Sequence, residues 1–168
     1  MPIIDTLIRA INAAIKELFK PPTHVDGDKF ESHVRNMFPE EVWGIKRMTK
    51  HYGDAGGRPI EQNKEPDFLF EHKKSKRLVN IECKYRRGLI ERKIEWCKYY
   101  QFKRYKELDK RHRNLYIIIG FGGNPTNPDR IFRIPLSELR YNAVYPNSIW
   151  KYIVSNDHKF RLEWGKLV

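Results

Sequence analysis

Six consecutive residues, Leu115-Tyr116-Ile117-Ile118-Ile119-Gly120, carry no charged or strongly polar side chain, and this run limits the fold more than any other stretch of the 168-residue chain. It is too short for a buried helix and rich in β-branched isoleucine, so it reads as a buried strand. Upstream, Asp67 to His72 and Leu78 to Tyr85 read as two further strands, joined by the polar turn Lys73-Lys74-Ser75-Lys76 into a hairpin. Between the hairpin and the isoleucine run, from about Glu91 to Asp109, the apolar spacing becomes helical. Strands interrupted by a helix of this length predict an α/β domain with a central mixed sheet flanked by helices.

The flanking segments extend this order. Asp26 or Asp28 is placed to cap a helix that runs through Phe38, with Phe30, Val34, Met37 and Phe38 as its apolar positions and Pro39 as its stop. Val42 to Met48 reads as a strand. Residues 23–168 thus form one domain whose core order is helix, three strands, helix, strand. The tail is predicted as a strand at Arg130 to Ile134, a helical turn at Pro135 to Arg140, and a closing pair of strands at Ile149 to Val154 and Lys159 to Trp164. Thr49 to Glu65, with three glycines and a proline, is a long polar loop expected at the rim of a site. Ahead of the domain, residues 1–22 read as an amphipathic helix and its proline stop, with Ile4, Leu7, Ile8, Ile11, Ile15 and Leu18 on one stripe.

Lys and Arg outnumber Asp and Glu by 33 to 21, a formal charge of +12, which favours a polyanionic partner, nucleic acid first. Two cysteines, Cys83 and Cys97, are too few for a disulfide scaffold and lack zinc-site spacing, so they read as free thiols in a reducing, cytoplasmic setting. No apolar stretch is long enough to cross a bilayer, and Asp5 and Arg9 interrupt the region where a signal peptide would be apolar. Membrane insertion is therefore not expected.

Asp67 opens one strand of the hairpin and Glu82 lies inside the next, close enough for both carboxylates to reach one cation. Mg²⁺ takes oxygen ligands and keeps several waters, so two protein carboxylates plus a substrate oxygen suffice to hold it, with Mn²⁺ as a substitute. Lys84, two residues beyond Glu82, shares its face of the strand, while Ile81, Cys83 and Tyr85 point the other way. A lysine there can orient a water, lower its pKa or stabilise developing charge. Gln101 falls with Ile94, Cys97, Tyr105 and Leu108 on one helical stripe, a face expected to be buried.

Pro66-Asp67 and Glu82-Cys83-Lys84, in this order on adjacent strands, resemble the PD-(D/E)XK nuclease superfamily of restriction-endonuclease-like proteins, whose core order is the one read above. Gly27-Asp28-Lys29-Phe30-Glu31-Ser32-His33-Val34 resembles the Gly-x-x-Phe-Glu-x-x-Val opening of Mrr-like restriction endonucleases, and Gln101 with Tyr105 resembles the Gln-x-x-x-Tyr motif of the RecB-type branch. The resemblance covers about residues 27 to 120. It implies a metal-dependent deoxyribonuclease, an endonuclease in the restriction-enzyme manner, with Asp67, Glu82, Lys84, Glu31 and Gln101 catalytic and the metal on Asp67, Glu82, Glu31 and the backbone carbonyl of Cys83. One feature departs from the pattern. His51-Tyr52-Gly53-Asp54-Ala55-Gly56-Gly57 looks like the signal that precedes the metal aspartate, ten residues too early, so Asp54 competes with Asp67. Asp67 is preferred because it abuts an apolar strand beside that of Glu82.

Basic residues follow the hairpin as Lys84, Arg86, Arg87, Arg92 and Lys93, with Tyr105 expected beside them, a surface suited to DNA phosphates. Of the nearby aromatics Trp96, Tyr99, Tyr100 and Phe102, most are expected in the core rather than as platforms for bases. Two alternatives stand beside it: a non-catalytic nucleic-acid-binding module on the same fold, and a homo-oligomeric interaction protein built on the N-terminal helix. A two-fold contact through that helix would suit an enzyme that cuts both strands of a duplex. The parent chain is then a dimer at micromolar concentration by sedimentation and a variant lacking residues 1–19 is a monomer. A monomeric parent removes the dimer and leaves the helix as part of the domain.

Overall fold

The computed structural model describes residues 22–49, 65–112 and 114–168. The residues expected to form the N-terminal amphipathic helix, and Asp54 with most of the expected rim loop, lie outside the described residues. The first described helix, α1 (Pro22–Asn36), begins at a proline, whose missing N–H costs nothing in a first turn. This corrects the capping assignment: Asp26 and Asp28 lie inside the helix, not ahead of it. Phe30 and Val34 are fully buried, and Met37 and Phe38 carry the apolar face past its end before Pro39.

Strands β1 (Trp43–Met48), β2 (Phe68–His72) and β3 (Leu78–Arg86) follow as an antiparallel meander. A short strand β4 (Ile94–Glu95) precedes helix α2 (Tyr99–His112), which returns the chain to β5 (Leu115–Phe121) parallel to β3. Strand β6 (Arg130–Pro135) pairs antiparallel with β5, and β8 (Ile153–Val154) with β6. The mixed sheet has six strands in the order β1-β2-β3-β5-β6-β8. Outside it, β7 (Ala143–Val144) pairs with β4, and β9 (Leu162–Glu163) with β10 (Lys166–Leu167).

Several boundaries differ from expectation. Helix α2 starts at Tyr99 rather than near Glu91, because Ile94 and Glu95 are held as a strand by Val144 and Ala143. The expected helical turn after β6 is a 3₁₀ turn, Leu136–Glu138. The closing pair of strands does not form as predicted: Pro146–Tyr152 is 3₁₀, β8 joins the main sheet, and Leu162–Glu163 pairs with the segment after it.

Two cores cover the two faces of the sheet. Phe30, Val34, Ile81, Cys83, Tyr85, Tyr116 and Ile118 lie in one, and Phe102, Tyr105, Leu115, Ile117, Ile119 and Phe132 in the other. The isoleucine run is apolar at every position because successive side chains enter opposite cores. The C-terminal segment seals the first core, where Trp43 Nε1 donates to the Phe160 carbonyl at 2.9 Å and the Phe160 N–H to that of Met37 at 2.8 Å.

The fit of α1 on the sheet depends on Gly120, where an added Cβ would overlap the Phe30 ring. Gly120→Ala is expected to destabilise by about 1–3 kcal/mol through overpacking, read from the urea midpoint. In a double mutant with Phe30→Leu the loss should be less than the sum of the two single changes. A neutral or stabilising Gly120→Ala would mean that α1 sits farther from β5 than described.

Candidate functional site

Period-two alternation on β3 sends Ile81, Cys83 and Tyr85 into the α1-side core, which leaves Glu82 and Lys84 together on the α2 side. There Glu82 is almost completely buried, at 2 % exposure, and its Oε1 lies 2.5 Å from Lys84 Nζ. Its second oxygen, Oε2, is buried with no hydrogen-bond partner among the described residues. A buried acceptor without a donor is costly, and one donor close to this carboxylate is the Tyr105 hydroxyl on the α2 side.

Asp67 meets this pair from the neighbouring strand. The β2–β3 register runs from Glu71 opposite Leu78 to Phe68 opposite Ile81, so one more step sets Asp67 opposite Glu82 on the same face. The ladder stops there. Asp67 Oδ2 instead accepts the Cys83 N–H at 2.7 Å, and its main-chain carbonyl accepts the Thr49 N–H at 2.9 Å. Thr49 Oγ1 also donates to the Pro66 carbonyl at 2.8 Å, and Arg47 pairs with Glu65 at 3.1 Å. Both ends of the expected rim loop are thereby fastened beside Asp67.

Burial first, then the charges of Glu82 and Glu31, raises the Asp67 carboxyl well above the usual carboxylate range, against the opposing pull of Lys84 and the Cys83 N–H. For Lys84, burial alone would lower the pKa. The Glu82 and Asp67 carboxylates and the hydrogen bond to Glu82 outweigh it, so the ammonium is held above its ordinary value and stays charged. Glu31, on the turn of α1 beside Phe30, is near enough for its charge to act on both Asp67 and Cys83. The Cys83 thiol lies in the α1-side core, where burial pushes its pKa up, so it has no nucleophilic character.

Gln101 sits in the first turn of α2, where its Oε1 accepts the Lys98 N–H at 3.0 Å, one half of a capping box. It is partly exposed rather than buried on the core stripe. Tyr105, expected among the nucleic-acid contacts, is 2 % exposed and stacked on Trp96 at 6.2 Å. That expectation is corrected: its hydroxyl, whose pKa is raised by burial and then by Glu82, backs the carboxylate from the α2 side.

The basic residues after the hairpin divide into two groups. Arg86 is used structurally, donating from Nε to the Glu95 carbonyl at 2.6 Å, from Nη2 to Trp96 at 2.7 Å and from Nη1 to its own neighbour Tyr85 at 2.8 Å. Arg87 grips buried Asp26 through Nε at 2.8 Å and Nη2 at 2.7 Å, tying α1 to the end of β3. Arg92 is exposed, and Lys93 lies over the Tyr145 ring at 5.2 Å. The clamp by Thr49 and the pairing of Asp26 with Arg87 are not legible in the sequence, because the partners lie 18 and 61 residues away and nothing local announces them.

Among the described residues no group of three His, Cys, Asp or Glu side chains is arranged to hold a metal alone. The donor set that does converge is Asp67 and Glu82, two hard oxygen ligands, with an unpartnered oxygen on Glu82. Such a set suits Mg²⁺ or Mn²⁺ better than a soft metal. No helix among the described residues is long and apolar enough to cross a membrane. Compared with known proteins, the chain matches no family model and no curated protein.

The electrostatics carry a pH signature. Because the folded pKa of Asp67 is raised, its ionisation opposes folding, and its contribution to stability falls as pH rises from the unfolded value of about 3.9 through the folded one. Asp67→Asn keeps an oxygen for the Cys83 N–H and has no charge to bury. In metal-free buffer it should therefore gain stability relative to the parent as pH rises. Urea midpoints measured from acid to neutral pH test this, and parallel profiles for the two proteins would show that Asp67 feels no such repulsion.

Proposed function

We propose that this chain is a Mg²⁺-dependent deoxyribonuclease of the PD-(D/E)XK, restriction-endonuclease-like type, hydrolysing phosphodiester bonds at Asp67, Glu82 and Lys84. The observation that carries the reading is the meeting of these three side chains where β2 and β3 stop pairing. The element order α1, β1 to β3, α2, β5, with β5 parallel to β3, is the order that superfamily calls for. The +12 charge suits a polyanionic substrate.

Asp67 and Glu82 are the residues that would hold the ion. The Cys83 carbonyl leaves β3 on the same edge as its N–H, toward Asp67, and so belongs to the same oxygen set. Glu31 adds negative charge from α1. When bound, the ion supplies Lewis acidity toward a phosphate oxygen and acidifies a water. Lys84, kept protonated by its two carboxylates, serves as a fixed positive charge that orients water or stabilises charge on the phosphate, rather than as a general base at neutral pH. Tyr105, Trp96 and Phe102 keep water from the α2 side of Glu82, which strengthens these interactions.

Asp67→Asn and Glu82→Gln should each reduce Mg²⁺-dependent cleavage at least a hundredfold, about 2.7 kcal/mol of transition-state stabilisation, while far-UV circular dichroism and DNA binding persist. Binding itself should weaken steeply with salt because phosphate contacts dominate it. Variants that cut as fast as the parent would show the metal site to be misassigned. A flat salt dependence would favour a protein partner, and binding without cleavage in Mg²⁺ or Mn²⁺ would favour a non-catalytic module.

A further inference from the structure

The residues after Leu139 form a surface that the catalytic reading does not use. Strand β7 is strapped to the segment ahead of α2: Ile94 pairs with Val144 and Glu95 with Ala143, Trp96 Nε1 donates to the Tyr141 carbonyl at 3.0 Å, and Asn142 Nδ2 to that of Cys97 at 3.0 Å. The same strap is bolted to the catalytic strand, since Arg86, two residues beyond Lys84 on the same face, donates to the Glu95 and Trp96 carbonyls. One guanidinium and one strand pairing separate the site from β7.

On this strap stand large aromatic side chains in solvent, Tyr141 at 70 % exposure and Tyr145 at 54 %, and at the adjoining start of α2 Tyr99 at 61 % and Tyr100 at 67 %. Cations accompany them. Lys93 Nζ lies over the Tyr145 ring at 5.2 Å, and Lys103 Nζ over the Tyr99 ring at 4.7 Å. A groove of about 570 Å³ runs beside Tyr141 and Tyr145, with Lys93, Arg140 and Lys151 along it. The acid in its lining, Glu138, is already engaged by Lys151 and the Tyr152 hydroxyl. Exposed rings beside cations, on a strap tied to the strand that carries Glu82 and Lys84, match the chemistry of unpaired nucleotides: bases stack on the rings and phosphates follow the cations. Paired bases keep their faces inside the duplex and have nothing to stack here.

Resting on the nuclease reading above, we propose that this aromatic strap, centred on Tyr141 and Tyr145, is a stacking platform for unpaired bases, and that the substrate is DNA in which a duplex adjoins a single strand, not continuous duplex.

The test separates binding from cutting. With the full chain in EDTA, fluorescence anisotropy compares a blunt hairpin duplex with the same hairpin carrying a single-stranded tail, and 2-aminopurine in the tail reports stacking by its quenching. The tailed hairpin should bind roughly tenfold tighter or more, the size of one good base–aromatic stack, with quenching of the tail. Tyr141→Ala and Tyr145→Ala should each lose most of that preference while leaving blunt-duplex affinity unchanged, and Tyr145→Phe should keep it. Both side chains are largely in solvent, so the fold is not at stake. Equal binding of tailed and blunt DNA overturns the proposal, as does a preference indifferent to both alanine variants. Alanine variants that instead change the sedimentation mass would assign the surface to a protein contact and overturn it too. Cleavage in Mg²⁺ that is lost in Asp67→Asn would uphold the nuclease even if the platform falls. Tail-specific quenching without cleavage would uphold the platform alone.

Discussion

A glutamate on a central strand, covered on its own face by a helix and facing a lysine two residues away, sets the terms for the rest of this molecule. Removing a carboxylate and an ammonium from water costs several kcal/mol per ion before their attraction is counted, and apolar residues of similar size would pack there at least as well. The Glu82–Lys84 pair is therefore poorly explained as a source of stability. It requires β3 to be interior, β5 to run beside it and α2 to close over it. The unpartnered Glu82 oxygen and the raised pKa of Asp67 are two signs of the same stress, an excess of buried acceptors and negative charge.

Around that strand, side chains replace missing backbone pairing. Asp67 takes the Cys83 N–H where β2 leaves β3, Arg86 fills the carbonyls of Glu95 and Trp96 where β4 ends, and Arg87 closes on Asp26 of α1. Each of these bonds starts or ends in the second half of β3 or at the residue that follows it. Helix α1, the β4–β7 strap and the rim-loop ends are thus tied to one strand and its immediate end, which sets the acidic cluster and the aromatic strap in one neighbourhood.

What was legible beforehand followed from periodicity. The alternation of Ile81, Cys83 and Tyr85 with Glu82 and Lys84 assigns faces without any knowledge of neighbours, and the isoleucine run declares that both faces of β5 are covered. Elements that depend on distant pairing were not legible. Ile94 and Glu95 have spacing compatible with a helix but are drawn into a strand by residues about 50 positions later, which moves the start of α2 to Tyr99 and brings Gln101 into a capping turn. The same blindness explains Arg86 and Tyr105: a list of basic and aromatic residues does not show which are consumed by main-chain carbonyls or by a core. Asp67 is legible as a candidate because its place beside Glu82 is local to the hairpin, whereas its clamp by Thr49 comes from across the rim loop.

The hairpin turn at residues 73–77 is remote from any chemistry, yet it acts as the gauge of the site. Lys76 holds a left-handed backbone at φ 59°, and the His72 and Lys76 N–H groups close the turn on Arg77 and His72 carbonyls at 2.8 Å. Side chains on a strand alternate, so a turn shortened or lengthened by one residue would let β2 slip one position and rotate every side chain on it to the other face. Phe68 and Phe70 would then seek water while Asp67 sought the core, and the sheet would resist. A change of two residues restores the parity: the alternation of faces matches again, while Asp67 lies a full pleat away from Glu82. Turn length here is thus a discrete dial with a silent setting, one at which the alternation of faces is kept and Asp67 and Glu82 no longer meet.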